Sequence, residues 1–263
     1  MFQDLKILDL GRQLAPGMPT SPSHPDFVHS VQRRHGDKIR ADGGSGSSDL
    51  LVLGAHVGTH IDALSHASHD GLLFGGVSTS EVMEGGSFKT LGADEIEPFI
   101  RPCVVLDIAT FMGVECLEGG FEISASLLES CAEHQQTTIN SGAVVFIRTG
   151  WGTKYGDPDA YIGHESGVPG IGEEGAKWLA ERNVHCVGAD TIAFERIEPG
   201  KGHYKLPAHR VLLVESGIYI IEALNLEPVK ETAIYCFDVV VSPLNIKGGT
   251  GAPVRPLALI QTN

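Results

Sequence analysis

Ala143-Val144-Val145-Phe146-Ile147-Arg148 is a continuous apolar run closed by a single cation. It is too short for a buried helix and rich in β-branched side chains, so it reads as a strand covered on both faces. Working outward, Cys103-Val104-Val105-Leu106-Asp107-Ile108 has the same character. Ser124 to Gln135 lies between these two runs and Glu173 to Arg182 beyond them. Both have helical spacing, and Gly172 is placed to cap the second. Val184-His185-Cys186-Val187-Gly188 then reads as a further strand, as do Val211-Leu212-Leu213-Val214-Glu215 and Ile234 to Val241. Lys6-Ile7-Leu8-Asp9-Leu10 is a short opening strand, and Leu50 to Leu53 leads another into residues 54–69. Strands alternating with a few helices predict an α/β fold: one domain, residues 1–263, with a mixed β-sheet core and flanking helices. There is no internal repeat and no inter-domain linker. Gly36 to Ser48 is polar and rich in Gly and Ser, which predicts a mobile loop.

The composition bounds the function. A net charge of −14 offers no basic footprint for nucleic acid or an anionic membrane. Met1 to Lys6 lacks the charged and apolar regions of a signal peptide, and no apolar run approaches the roughly 20 residues that span a bilayer. Five scattered cysteines without a CxxC pair are expected to be reduced core thiols of a cytoplasmic protein.

The chemistry concentrates in Gly54-Ala55-His56-Val57-Gly58-Thr59-His60-Ile61-Asp62-Ala63-Leu64-Ser65-His66-Ala67-Ser68-His69. The chain has 12 histidines in 263 residues, and this window holds four of them with an aspartate. Imidazole and carboxylate are the ligands that borderline divalent metals prefer. A spacing of four between His56 and His60 suits a helix, but Val57, Thr59, Ile61 and Gly58 favour a strand. On a strand His56, Gly58, His60 and Asp62 share one face, with Gly58 leaving space for an ion between the imidazoles. Further along, Glu215 interrupts an apolar run and needs a partner if buried: a metal, or an ion pair with Arg148 or Arg210. His203 precedes it in the flexible Gly200-Lys201-Gly202-His203-Tyr204.

His56-x-Gly58-Thr59-His60-x-Asp62-x-x-x-His66 resembles the HxGTHxDxPxH signature of the cyclase family of metal-dependent hydrolases, which includes bacterial kynurenine formamidase and isatin hydrolase. Asp9-Leu10, Gly17-Met18-Pro19, Arg148-Thr149-Gly150-Trp151, Gly188-Ala189-Asp190-Thr191, Ser242-Pro243-Leu244 and Ala252-Pro253-Val254-Arg255 resemble further family segments along most of the chain. The resemblance implies the family's swivelling β/β/α-like fold. It implies that His56, His60 and Asp62 hold one divalent ion, Zn2+ or Mn2+. It also implies that Asp62 bridges to a second ion held by His203 and Glu215, whose separation of twelve matches the formamidase branch. Isatin hydrolases are mononuclear manganese enzymes, so one or two ions per chain are both compatible with the resemblance. His66 takes the place of the catalytic histidine. Homodimers or homotetramers are the family habit.

Two departures stand out. Leu64 replaces the motif's proline, and Ser21 lies near where formamidases carry an aromatic side chain that packs on the substrate. Trp151 is read either as a substrate-binding wall or as core. His69, His164 and Asp190 are read as turn, loop or supporting residues, and His209 has no nameable partner. The reaction implied is hydrolysis of a C–N amide bond in a small molecule, an aryl formamide or a cyclic amide, by metal-activated water. Lactone hydrolysis or a cyclase/dehydratase reaction would use the same machinery, and a non-catalytic metal-binding protein is the alternative from another class.

Overall fold

The computed structural model describes residues 5–261. Residues 1–4, which include most of the segment read above as lacking a signal peptide, and residues 262–263 lie outside the described residues. The main sheet has nine strands: β1 (Leu5–Asp9), β4 (His60–Asp62), β5 (Phe99–Asp107), β6 (Val144–Arg148), β7 (Cys186–Ala189), β8 (Tyr219–Glu222), β9 (Cys236–Val241), β10 (Gly251–Pro253) and β11 (Leu257–Gln261). Their order across the sheet is β1-β11-β9-β5-β6-β7-β8-β4-β10. The centre, β5 to β8, is parallel, and every pairing outside it is antiparallel. The expected mixed α/β sheet is therefore present.

Both faces of the parallel centre are buried, which is why its strands read as unbroken apolar runs. Val104, Leu106, Val145, Ile147, Val187 and Ile220 face one layer, with α1 (Ala125–His134), α2 (Glu173–Glu181) and Val211 to Leu213 packed on them. Cys103, Val105, Val144, Phe146, Cys186 and Ile221 face the other. There they meet Leu8, Ile61, Ala252 and Ala258 from strands towards both ends of the sheet, so the sheet curls around its own inner face. Ser124 caps α1 by accepting the Leu127 N–H at 3.2 Å, and Gly172 is the N-terminal cap position of α2.

Three expectations are corrected. Residues 210–215 are not a strand: Pro207 opens a short helix, Pro207–His209, that runs into a π-helical turn, Arg210–Glu215. Proline at a first helical turn is a start signal, and the apolar run is continuous because Val211, Leu212 and Leu213 are all buried against the sheet. Only His60–Asp62 of the motif is strand; His56 to Thr59 form a bend. Finally, Leu50 to Leu53 does not feed the main sheet. Ser48–Val52 (β3) pairs with Val28–Arg33 (β2) in a separate antiparallel hairpin, with Gly36 to Ser47 at its tip. Nearly every residue of this hairpin is exposed.

Among the described residues no helix is long and apolar enough to cross a membrane.

Candidate metal centre

Strand alternation places His60 and Asp62 on one face of β4 and sends Ile61 into the core. β4 pairs antiparallel with β8 so that His60 lies directly opposite Glu222, and Asp62 opposite Ile220. The helix Pro207–His209 lies beside them and brings His209 in from above. A quartet of side chains then converges. His60 Nε2 is 3.6 Å from Asp62 Oδ1 and 3.4 Å from Glu222 Oε2. His209 Nε2 is 3.6 Å from Asp62 Oδ2 and 3.3 Å from Glu222 Oε1. Four ligands about 2.1 Å from a tetrahedral ion lie roughly 3.4 Å from one another. His60, Asp62 and Glu222 therefore lie close enough to share a divalent ion, and His209 stands against both carboxylates.

The remaining hydrogen bonds fit that reading. Asp62 is fully buried, and its Oδ2 has no hydrogen-bond donor among the described residues. A buried carboxylate oxygen without a donor is costly unless a cation faces it. His60 commits Nδ1–H to the Gly58 carbonyl at 2.9 Å, leaving the Nε2 lone pair for the centre. Gly58 adopts a left-handed φ of 57°, and a Cβ there would stand 2.6 Å from Leu14 Cδ2. The glycine thus turns the chain and aims the carbonyl; it does not leave an open space between the imidazoles.

His56 comes from the bend and meets the same Asp62 oxygen as His60, the two rings lying 5.1 Å apart. Its Nδ1–H donates to Asp62 Oδ1 at 2.8 Å, and its Nε2 meets Thr250 Oγ1 at 2.9 Å. His56, Asp62 and His66 form a second group of donor atoms close enough to share an ion. The His66 ring lies 4.0 Å from that of His56 and 5.9 Å from that of His209, centroid to centroid. A cavity of about 50 Å³ opens onto His56, His60, His66, His209 and Glu222. It is walled by Pro19 to Ser21, His24, Ile192, Ala193, His203 and Leu206. Among the described residues, imidazoles are the only aromatic rings in that lining.

Two of the expected ligands fall elsewhere. Glu215 is half exposed at the end of the π-helical turn, where Arg210 Nε holds its Oε1 at 3.0 Å. This is one of the ion pairs the sequence left open; Arg148 is instead buried between Asp107 and Glu227. His203 is exposed at the cavity rim, outside the quartet. The side chains that stand beside His60 and Asp62 instead are His209 and Glu222. Trp151 does not wall the cavity: it is fully buried, donates Nε1–H to the Tyr161 carbonyl at 2.8 Å, and packs behind Ala193 and Ala223. Asp190 is a turn residue, accepting N–H bonds from Thr149, Gly150 and Gly152. His69 and His164 are exposed. His24, which stacks on His56 at 5.1 Å, was not singled out in the sequence. Glu215→Gln should leave metal content and turnover within twofold of the parent, measured by elemental mass spectrometry and a rate assay; loss of an ion would return Glu215 to the centre.

The electrostatics are strongly polarised. Burial opposes ionisation of Asp62, but His66, His209 and His56 outweigh it and hold the carboxyl well below its usual range. Glu222 is raised by burial and by Asp62, yet the imidazoles of His209 and His60 beside it bring it down to about 2. His209 resists burial because Asp62, Glu195 and Glu222 surround it, and its pKa is raised. His66 has less compensation: burial, with His56 and His209, lowers it to about 4 despite Asp62. These shifts set a pH profile for the metal-free protein. Lowered His66 and Glu222 contribute stability that is lost as pH falls below 6.5 and then below 4.5. Raised His209 contributes stability that is complete below pH 6.5 and lost as pH rises. Melting of the metal-free protein should therefore peak near pH 6.5; a midpoint climbing steadily to pH 8.5 would contradict this balance.

Comparison with known proteins agrees with the geometry. The Cyclase family model, described as "Putative cyclase", matches residues 8–196. An isatin hydrolase from Roseibium aggregatum is 27% identical, the match covering 98% of this chain and 92% of the relative. A kynurenine formamidase from Salinibacter ruber is 26% identical over 95% of this chain and 96% of the relative. Among solved structures, one described as a novel cyclase superposes with a TM-score of 0.87 at 26% identity, covering 98% of this chain and 87% of that one. Isatin hydrolase A from Ralstonia solanacearum superposes with a TM-score of 0.75 at 26% identity, covering 98% and 92%.

Proposed function

The chain belongs to the cyclase family, and from that premise we propose that it is a metal-dependent hydrolase of a C–N amide bond in a small molecule. The observation that carries the proposal is the group of His60, Asp62 and Glu222, close enough to share an ion, with His209 against both carboxylates and a buried Asp62 oxygen that lacks a donor. These four residues would hold a divalent ion, Zn2+ or Mn2+; His56, Asp62 and His66 form a second group of donors, in which His66 is read as the proton carrier. An ion bound there supplies Lewis acidity and makes water acidic enough to ionise near neutral pH. The cavity reaches His60, His209 and Glu222. That open side separates the centre from a sealed structural site.

The protein's own groups supply the rest. His66 lines the cavity and is held neutral by burial. It takes a proton from the attacking water and delivers it to the leaving nitrogen. His24 and Ser21 stand at the wall as hydrogen-bond partners for the substrate. Among the described residues the lining has no Phe, Tyr or Trp, which favours a compact cyclic amide, as in the isatin hydrolase relatives, over a substrate that needs a stacking wall. A formamide is the second class to try, after the kynurenine formamidase relatives.

The test is hydrolysis of isatin and of an N-formyl arylamine by the zinc- and manganese-loaded protein. Turnover of either that stops on chelation supports the proposal; inertness of the fully loaded protein towards both, with lactones cleaved instead, would replace it.

Assembly as a homo-oligomer belongs to the same proposal. The β2–β3 hairpin exposes Val28, Val31, Leu50, Leu51 and Val52, an apolar display uncommon on a monomer. Sedimentation at a monomer mass at micromolar concentration would remove this part. The free thiols support a cytoplasmic location.

A further inference from the structure

One dipeptide touches both of the late donors. Phe194 N–H donates to Glu222 Oε1 at 2.8 Å, and Glu195 Oε1 accepts from His209 Nδ1–H at 2.6 Å. Glu195 is fully buried, and among the described residues its only ion-pair partner is His209. Its other bonds come from the Ala208 and His209 N–H groups at 3.1 and 3.4 Å. A buried carboxylate is costly, yet Glu195 does not line the cavity and takes no part in the reaction outlined above.

The geometry gives it a different task. His209 sits on a helix of three residues running into a π turn, which does little by itself to fix an imidazole. With Nδ1–H committed to Glu195, Nε2 is the atom left to turn a lone pair on an ion, and it faces Asp62 and Glu222. His60 is fixed in the same tautomer, but by a neutral carbonyl. We propose that Glu195 is a positioning residue for the ion: it sets the tautomer and orientation of His209 and, as a carboxylate, strengthens that ring as a donor. This rests on the metal reading above. Such outer partners are worth about 10–100-fold in metal affinity.

The experiment is Zn2+ titration of the metal-free protein against a chromophoric chelator, alongside its melting midpoint. Glu195→Gln keeps an acceptor for Nδ1–H and removes the charge. The Zn2+ Kd should weaken about 10–100-fold, with the metal-free variant still folding cooperatively. On a His209→Ala background the same change should weaken Zn2+ binding no further. A lowered midpoint with an unchanged Kd would make Glu195 structural only, and additive losses in the double variant would break its link to His209. Should Glu195→Gln fail to fold, long-range 1H–15N spectra of the zinc-loaded parent still decide, because a His209 ring protonated at Nε2 overturns the proposal. Failure of the parent to bind any Zn2+ is a separate result, which removes the metal reading itself.

Discussion

Asp62→Asn should release the bound metal and lower turnover roughly 10³-fold or more, since the acidified water disappears with the ion. Asp62 is the only residue shared by the two groups of donor atoms. Its Oδ1 faces His56 and His60, and its Oδ2 faces His209. Asparagine has the same shape but puts a neutral amide between three imidazoles and halves the carboxylate count of the quartet. Elemental mass spectrometry of the purified variant, with melting as a fold control, is the measurement. A folded variant that keeps a full equivalent of metal would remove Asp62 from the centre.

His66→Ala should behave differently: about 10²–10⁴-fold loss of turnover, the range for a general acid–base group, with metal content unchanged. His66 lies beside the quartet, not within it, and its neutral form is the one burial favours. A proton can pass through such a group without its holding the ion. Partial rescue by added imidazole would confirm the proton-transfer role. Loss of metal in this variant would make His66 a ligand of the second group, with His56 and Asp62.

The site was only partly legible in the sequence. Alternation along residues 60–62 is enough to place His60 and Asp62 on one face, and the structure has them so. The buried centre of the sheet was legible for a similar reason: an apolar run bounded by polar residues has few other places to go. His203 and Glu215 were carried over by a spacing of twelve, and spacing along the chain does not fix proximity across a turn. The local chemistry held better signals. Pro207 marks a helix start that brings His209 inward. Tyr219-Ile220-Ile221-Glu222 is an apolar strand ending in a carboxylate at the C-terminal end of a parallel pairing, where ligand sites of α/β sheets collect. Glu195 carries no such signal, because its partner is set by a helix that only the folded sheet positions.

The direct opposition of His60 and Glu222 across β4 and β8 makes metal uptake a gauge of correct chain assembly. A slip of one residue would turn His60 and Asp62 into the core and Ile61 out to the cavity. A misassembled population would then be invisible to circular dichroism, which counts strands, yet plain as a shortfall in bound ion. Titrating samples refolded at different rates would report how often the last edge of the sheet closes in the right frame.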